Sequence, residues 1–298
     1  MYTYNDIEIT QQTITGLNTR IAQLGKGQTV LFLHGWPECW YSWRSQLIAL
    51  ANAGYHAVAP DMPGFAGTQA RPRIEDYHIE NTSEFILGVI ESITDAKKPI
   101  ILVSHDWGAT NAWQFVLRHP DAVSQLVTMS VPLRPISEEP PVQVFKKRFV
   151  NRFFYQLYFQ QPGIAEAEFE ADPRSILSRL YASPETPREP AKLVNAPPEQ
   201  GGWIDRLGNP KEQAEWLEQA DLDYFVEVFT QSSFAGGINY YRNIDKNWEL
   251  MAPYAERKVE CPVLFLAGSK DNTLMNMNEQ QLKDMMEPRV TNLKIKLY

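Results

Sequence analysis

Ile100-Ile101-Leu102-Val103-Ser104-His105-Asp106-Trp107-Gly108-Ala109 is the stretch whose reading decides the fold. Four apolar residues make a buried parallel strand. Small residues at 104, 108 and 109 then flank one acid, and a helical pattern runs on to His119-Pro120. This is the layout of a nucleophile elbow, G-x-S-x-G, with Ser104 for the first Gly and Asp106 in place of the Ser. The flanks are small because the strand-to-helix turn is tight, and larger side chains there collide with neighbouring backbone. The turn lifts one side chain above the sheet, beside the amides that start the helix. Serine suits attack on acyl carbon, whereas a carboxylate displaces a leaving group from saturated carbon and forms an alkyl ester.

Outward from this turn, strands and helices alternate. Ile7–Ile14 and Leu17–Leu24 read as two strands joined at Thr15-Gly16. Val30–Leu33 is a continuous apolar strand ending at His34-Gly35-Trp36-Pro37. Ser42 is expected to cap a helix over about Trp43–Ala53, with Gly54 as its stop. His56–Pro60 is a strand. Glu80–Thr94 is a helix, with Phe85, Val89, Ile90 and Ile93 at helical spacing, and Val123–Met129 is a further strand. Alternation of this kind predicts an α/β fold with a mostly parallel sheet covered on both faces. The pattern breaks at Val131-Pro132. Residues 133–245 hold no strong strand, are helical in places, and include a proline-rich stretch over 183–200. It resumes with a strand at Val263–Ala267, a helix at Glu279–Met286 and a strand at Leu293–Leu297. The expected organisation is a core formed by 1–132 and 246–298, with 133–245 as an inserted helical cap. A long irregular insertion is usually functional.

Composition narrows the function. With 44% hydrophobic residues the chain can bury a substantial core, and a net charge of −8 argues against nucleic acid or an anionic membrane as partner. Cys39 and Cys261 make no disulfide framework and no metal-binding spacing, so they read as free thiols in a reducing compartment. The N-terminus has neither a basic start nor an apolar run, and no stretch approaches a membrane span. The expectation is a cytoplasmic protein with no metal and no cofactor. Oligomeric state is not legible.

Several motifs together are similar to the epoxide hydrolases of the α/β-hydrolase fold. They are H-G-W-P at 34–37, S-H-D-W-G-A at 104–109 and the Asp61-Met62-Pro63-Gly64-Phe65 turn. In the insertion they are Phe154-Tyr155-Gln156-Leu157-Tyr158-Phe159-Gln160-Gln161-Pro162-Gly163 and Gly237-Ile238-Asn239-Tyr240-Tyr241-Arg242-Asn243. The resemblance implies a α/β-hydrolase core with a cap, a small apolar epoxide and water as reactants, and Asp106 as nucleophile. It also implies Tyr155 and Tyr241 as the cap acids over it and Asp271 as the relay acid that orients a histidine. The residues themselves give Asp271 a plainer role as a turn aspartate. Hydrolysis of an ester on Asp106 puts negative charge on its carbonyl oxygen, which the amides of Trp36 and Trp107 are placed to hold. His34 reads as a histidine bonding the loop backbone, next to Pro37. Opening an epoxide leaves an alkoxide that needs a proton, a task suited to a phenol. Tyr240, adjacent to Tyr241 on a helix, is expected to face elsewhere.

The resemblance also implies a water-activating histidine in the loop after the last strand. The five histidines are His34, His56, His78, His105 and His119, and none lies at that position. The expectation is that these 298 residues are part of a longer chain. If they act alone, alkylation of Asp106 and hydrolysis of the ester separate, and the adduct persists. A haloalkane dehalogenase shares the aspartate and the following tryptophan, but Trp36 stands where many carry a second halide donor, and a halide needs no phenols. A non-turnover binding protein on a hydrolase scaffold is the reading from another class.

Overall fold

The computed structural model describes residues 1–94, 98–274 and 276–298. The first two strands, β1 (Glu8–Ile14) and β2 (Leu17–Gly25), form an antiparallel hairpin. Thr15 and Gly16 both take positive φ, 47° and 80°, in a two-residue turn whose twist suits adjoining strands. Then follow β3 (Thr29–Leu33), α1 (Arg44–Asn52), β4 (His56–Pro60), α2 (Ile79–Ile93), β5 (Ile100–His105), α3 (Trp107–Arg118) and β6 (Val123–Met129). Ser42 does not cap α1. It lies inside a 3-10 turn, Trp40–Trp43, and Trp43 occupies the N-cap without a side-chain bond. Burial of Trp40 and Trp43 under the sheet overrides the local capping preference.

After β6 the described residues form no strand until Val263. The segment holds α4 (Pro141–Arg148), α5 (Tyr155–Tyr158), α6 (Ile164–Ala171), α7 (Pro173–Tyr181), α8 (Gln219–Ser232), α9 (Ala235–Arg242) and α10 (Ile244–Met251). The last of these runs through position 245, where the sequence suggests the insertion ends. The chain then adds β7 (Val263–Ala267), α11 (Glu279–Met286) and β8 (Leu293–Leu297).

The eight strands form one sheet in the order β1-β2-β4-β3-β5-β6-β7-β8. Pairings from β4 through β8 are parallel, and β2 joins β4 antiparallel. Alternate residues of β3 and β5 enter opposite layers. Leu31, Leu33 and Leu102 pack on the side of α2 and α3, while Val30, Phe32 and Val103 pack on the side of α1. On α2, Phe85, Ile86, Val89 and Ile90 form the buried stripe, each stabilising by about 1.5–3 kcal/mol. Strand order reverses between β3 and β5, and in open α/β sheets such a point leaves a crevice at the carboxyl ends of the strands.

Candidate active site

Leu33 of β3 pairs with Ser104 of β5. Beyond this pair the two strands release His34-Gly35-Trp36 and His105-Asp106 side by side. Asp106 takes φ 51° and ψ −120°, a conformation that costs a non-glycine residue about 1–3 kcal/mol. Close packing holds it there. A Cβ on Gly35 would lie 2.4 Å from the Asp106 Cβ, and one on Gly108 would lie 2.1 Å from the Leu33 carbonyl oxygen. Ser104, fully buried, donates to the Val127 carbonyl at 3.3 Å. The small residues of the elbow are therefore demanded by backbone contact on both sides.

The Asp106 carboxylate accepts the Trp36 amide on Oδ1 at 2.8 Å, and the Trp107 amide that opens α3 lies next to it. Burial pushes its pKa up, against the pull of nearby His105 and of these amides. The structure thus brings Asp106, Trp36 and Trp107 together. Pro37 continues the loop through a cis Trp36–Pro37 bond, and its carbonyl accepts a hydrogen bond from the Tyr181 hydroxyl of α7. His34 does not face Asp106. The Met62 amide donates to its Nε2 at 2.9 Å, so Nδ1 carries the proton and donates to the Gly35 carbonyl at 2.9 Å. Full burial keeps this imidazole neutral by pushing its pKa down.

A charged pair lies beside the nucleophile. His105 Nδ1 meets Glu38 Oε1 at 2.9 Å, and Glu38 Oε2 accepts the Gly35 amide at 3.1 Å. Burial opposes the imidazolium, but the Glu38 carboxylate, with Asp106 and Asp271 farther out, holds the His105 pKa up at about 9. Burial likewise opposes the Glu38 carboxylate, and His105 more than offsets it, leaving its pKa low. The motif reading of His105 missed this pair, although Glu38 directly follows Pro37 in the chain.

Tyr155 opens α5 and Tyr241 lies near the end of α9, and their ring centroids are 5.8 Å apart. Tyr241 meets the Trp107 ring edge-on at 4.9 Å and the Trp36 ring at 5.9 Å. Both hydroxyls lie near enough to Asp106 for its charge to act on them. Gln156 donates its amide to the Tyr155 oxygen at 3.0 Å. Burial raises both phenols, Tyr155 to about 12 and Tyr241 further, so both keep their protons at neutral pH. Tyr240 does face elsewhere, with its hydroxyl on the Pro63 carbonyl at 3.2 Å.

Arg242 joins the two tyrosine-bearing elements. It pairs with Glu166 at 2.6 Å and donates to the carbonyls of Phe159 and Gln161. Asp271 accepts the Thr273 amide and hydroxyl at 2.8 and 2.7 Å, the bonding of a turn aspartate. It is near enough for its charge to act on His105. One aromatic residue escaped the sequence reading. Trp203, just past the proline-rich stretch, stacks on Tyr155 at 4.7 Å and on Trp36 at 5.9 Å. A loop residue carries no periodicity that would announce such a contact. Among the described residues no group of three or more His, Cys, Asp or Glu is placed to hold a metal, and no helix is long and apolar enough to cross a membrane.

A parallel sheet with an acid on its central elbow, facing an oxyanion-type loop under a helical layer, defines a class that comparison with known proteins makes specific. Residues 28–283 match the alpha/beta hydrolase fold family. Epoxide hydrolase A of Mycobacterium tuberculosis is 38% identical over 262 residues, 87% of this chain and 81% of that protein. Epoxide hydrolase 2 of Siraitia grosvenorii is 36% identical over 89% of this chain and 81% of its own length. The crystal structure of epoxide hydrolase A from Mycobacterium thermoresistibile superposes with a TM-score of 0.87 at 34% identity, covering 98% of this chain and 91% of that one. Epoxide hydrolase VrEH1 from Vigna radiata gives 0.84 at 31% identity, covering 99% and 92%. The chain belongs to the α/β-hydrolase fold family and, within it, to the epoxide hydrolases.

Proposed function

We propose that this protein opens small apolar epoxides to vicinal diols through an alkyl ester on Asp106. Oδ1 of Asp106 is occupied by the Trp36 amide, which leaves Oδ2 to attack a ring carbon. As that C–O bond forms, the ring C–O bond breaks and the ring oxygen takes a proton from Tyr155 or Tyr241. General acid help of this kind is worth about 10²–10⁴ in rate. Tyr155 suits the transfer better. Its oxygen accepts from Gln156, so a phenolate formed there is already solvated by a donor, and its pKa is raised less than that of Tyr241. Water, losing a proton to a base, then attacks the ester carbonyl; the tetrahedral oxyanion is held by the amides of Trp36 and Trp107, and its collapse breaks the ester C–O bond, releasing the diol and restoring the Asp106 carboxylate. The aromatic residues around Tyr155 and Tyr241 favour apolar substrates, and the free cysteines accord with a cytoplasmic setting.

Hydrolysis of the ester needs a base. Among the five histidines of this chain, His34 is spent on loop backbone, His105 on Glu38 and Ser130, and His56 on Gln23 and Thr29. His78 and His119 sit at the ends of α2 and α3. A polypeptide of these 298 residues is therefore expected to alkylate and stall. What supports the reading is that Tyr241 packs on Trp107, the residue after Asp106, that Tyr155 packs on Tyr241, and that the Asp106 charge acts on both phenols.

The test is incubation with styrene oxide followed by mass spectrometry of the peptide spanning 100–118. One styrene oxide equivalent on Asp106, absent in Asp106→Asn, is expected. An unmodified peptide sinks the Asp106 ester, and continuous diol release by this polypeptide sinks the stalled step.

A further inference from the structure

Trp203 stands between the two halves of the proposed machinery. Its indole is nearly parallel to the Tyr155 ring, at 11°, and nearly parallel to the Trp36 ring, at 13°. It also meets Phe159 edge-on at 5.5 Å. The stack therefore runs from the loop whose amide holds Asp106 to the phenol on α5. Trp203 belongs to no helix or strand, so something else must fix it. Glu168 of α6 does so. One carboxylate oxygen accepts the Trp203 amide at 2.9 Å and the Tyr158 hydroxyl at 2.9 Å, and the other accepts the Ile204 amide at 2.9 Å. The approach is so close that a Cβ on Gly202 would lie 2.0 Å from Glu168 Oε1. Both oxygens of one side chain thus clamp the backbone on which the indole hangs.

We infer that Trp203, held by the Glu168 clamp, is a positioning residue that sets where the Tyr155 phenol points relative to Asp106. The inference rests on the proposed Asp106 ester. Its physical basis is that Tyr155 lies at the start of a four-residue helix, too short to orient its own side chain. One face of its ring is covered by Trp203. Without that cover the ring can tilt, and a misplacement of about 1 Å in a reacting group can cost as much as 10²-fold in rate. Because Tyr241 remains to supply a proton, a loss of about tenfold is expected from the change at Trp203.

A merely structural role predicts the same loss whatever residue stands at 155. A positioning role predicts that the loss disappears once the phenol is gone, since coupled residues are not additive. The experiment measures the rate of adduct formation with styrene oxide in the 298-residue chain, in Trp203→Leu, in Tyr155→Phe and in the double variant. Expected are a loss of about tenfold for Trp203→Leu in the native background and less than about twofold in the Tyr155→Phe background. Trp203→Phe, which keeps a flat ring, recovers most of the rate. Glu168→Gln, which keeps the shape of the clamp but weakens its acceptors, shows a smaller loss that Tyr155→Phe cancels likewise. It reads the same coupling without disturbing the aromatic cluster. Equal losses in both backgrounds, or no loss in the native one, overturn the positioning role while leaving the ester intact. Absence of any adduct in the unsubstituted chain overturns the ester and this role together.

Discussion

Gly108→Ala sets two effects of known size against each other. Position 108 is the second residue of α3, where alanine is favoured over glycine by about 1 kcal/mol through helix propensity. On propensity alone the variant is stabilised. The added Cβ, however, would lie 2.1 Å from the Leu33 carbonyl oxygen, 2.6 Å from the Leu33 carbonyl carbon and 2.7 Å from the His34 carbonyl oxygen. All three are backbone atoms of β3 and the loop it releases, so none can swing aside. Overpacking of a core typically costs 1–3 kcal/mol, and rigid neighbours put this site at about the top of that range. The net expectation is a loss of about 2 kcal/mol, which for a chain of this size lowers the melting temperature by about 3 °C. The strain is relieved only by moving α3 or the 34–36 loop, and either motion displaces the Asp106 carboxylate from the Trp36 amide. Adduct formation is then expected to fall by roughly 10²-fold. Differential scanning calorimetry and adduct mass spectrometry measure both. Gly88→Ala is the control, because its Cβ would meet only the methyl ends of Ile14 and Thr15, at 2.9 and 3.3 Å, and should change stability by no more than about 1 kcal/mol. A Gly108→Ala protein that melts at or above the parent, with undiminished alkylation, refutes the reasoning about the elbow.

The His105–Glu38 pair makes stability depend on pH in a defined direction. His105 titrates at about 9 in the fold against 6.5 in its ordinary state, so its contribution is complete below 6.5 and is lost as pH rises through 9. The Glu38 pKa is lowered, so its contribution is present above the ordinary 4.5 and is lost as pH falls through the folded value. The difference in urea midpoint between the parent and His105→Gln should therefore be largest between about pH 5 and 6.5 and shrink towards pH 10; a constant difference would contradict the pair. Arg242→Met breaks a buried ion pair, since the partner side chains are only 5% and 12% exposed, and strands Glu166 with the Phe159 and Gln161 carbonyls. A loss of about 3–5 kcal/mol in denaturant unfolding is expected. A loss under 1 kcal/mol would show that the two tyrosine-bearing elements are held together by aromatic packing alone.

Much of this architecture was legible in the chain. Largely apolar runs placed β4 and β7, and mixed or alternating runs placed β6 and the edge strand β8, with their observed ends, because a strand's side chains follow which of its faces are buried. The elbow was legible because its small residues are forced by backbone contact, a local demand written into adjacent positions. Tyr155 and Tyr241 were reached only through motif resemblance, since nothing in composition separates them from eleven other tyrosines. Ser42 was misread as a cap because local propensity cannot anticipate the burial of Trp40 and Trp43 on either side of it.

What sequence alone determined, then, was the order of strands and helices and the acid at position 106, for both follow from patterns within a few neighbouring residues. Tertiary structure decided the rest: the Glu38–His105 pair that charges the site, the Arg242 joint that ties α9 to α6 and to the end of α5, and the seat of Trp203 between Trp36 and Tyr155. Those contacts join residues far apart in the chain or lie in a loop without periodicity. Their geometry is set by packing and by desolvated charge, neither of which exists until the chain has folded.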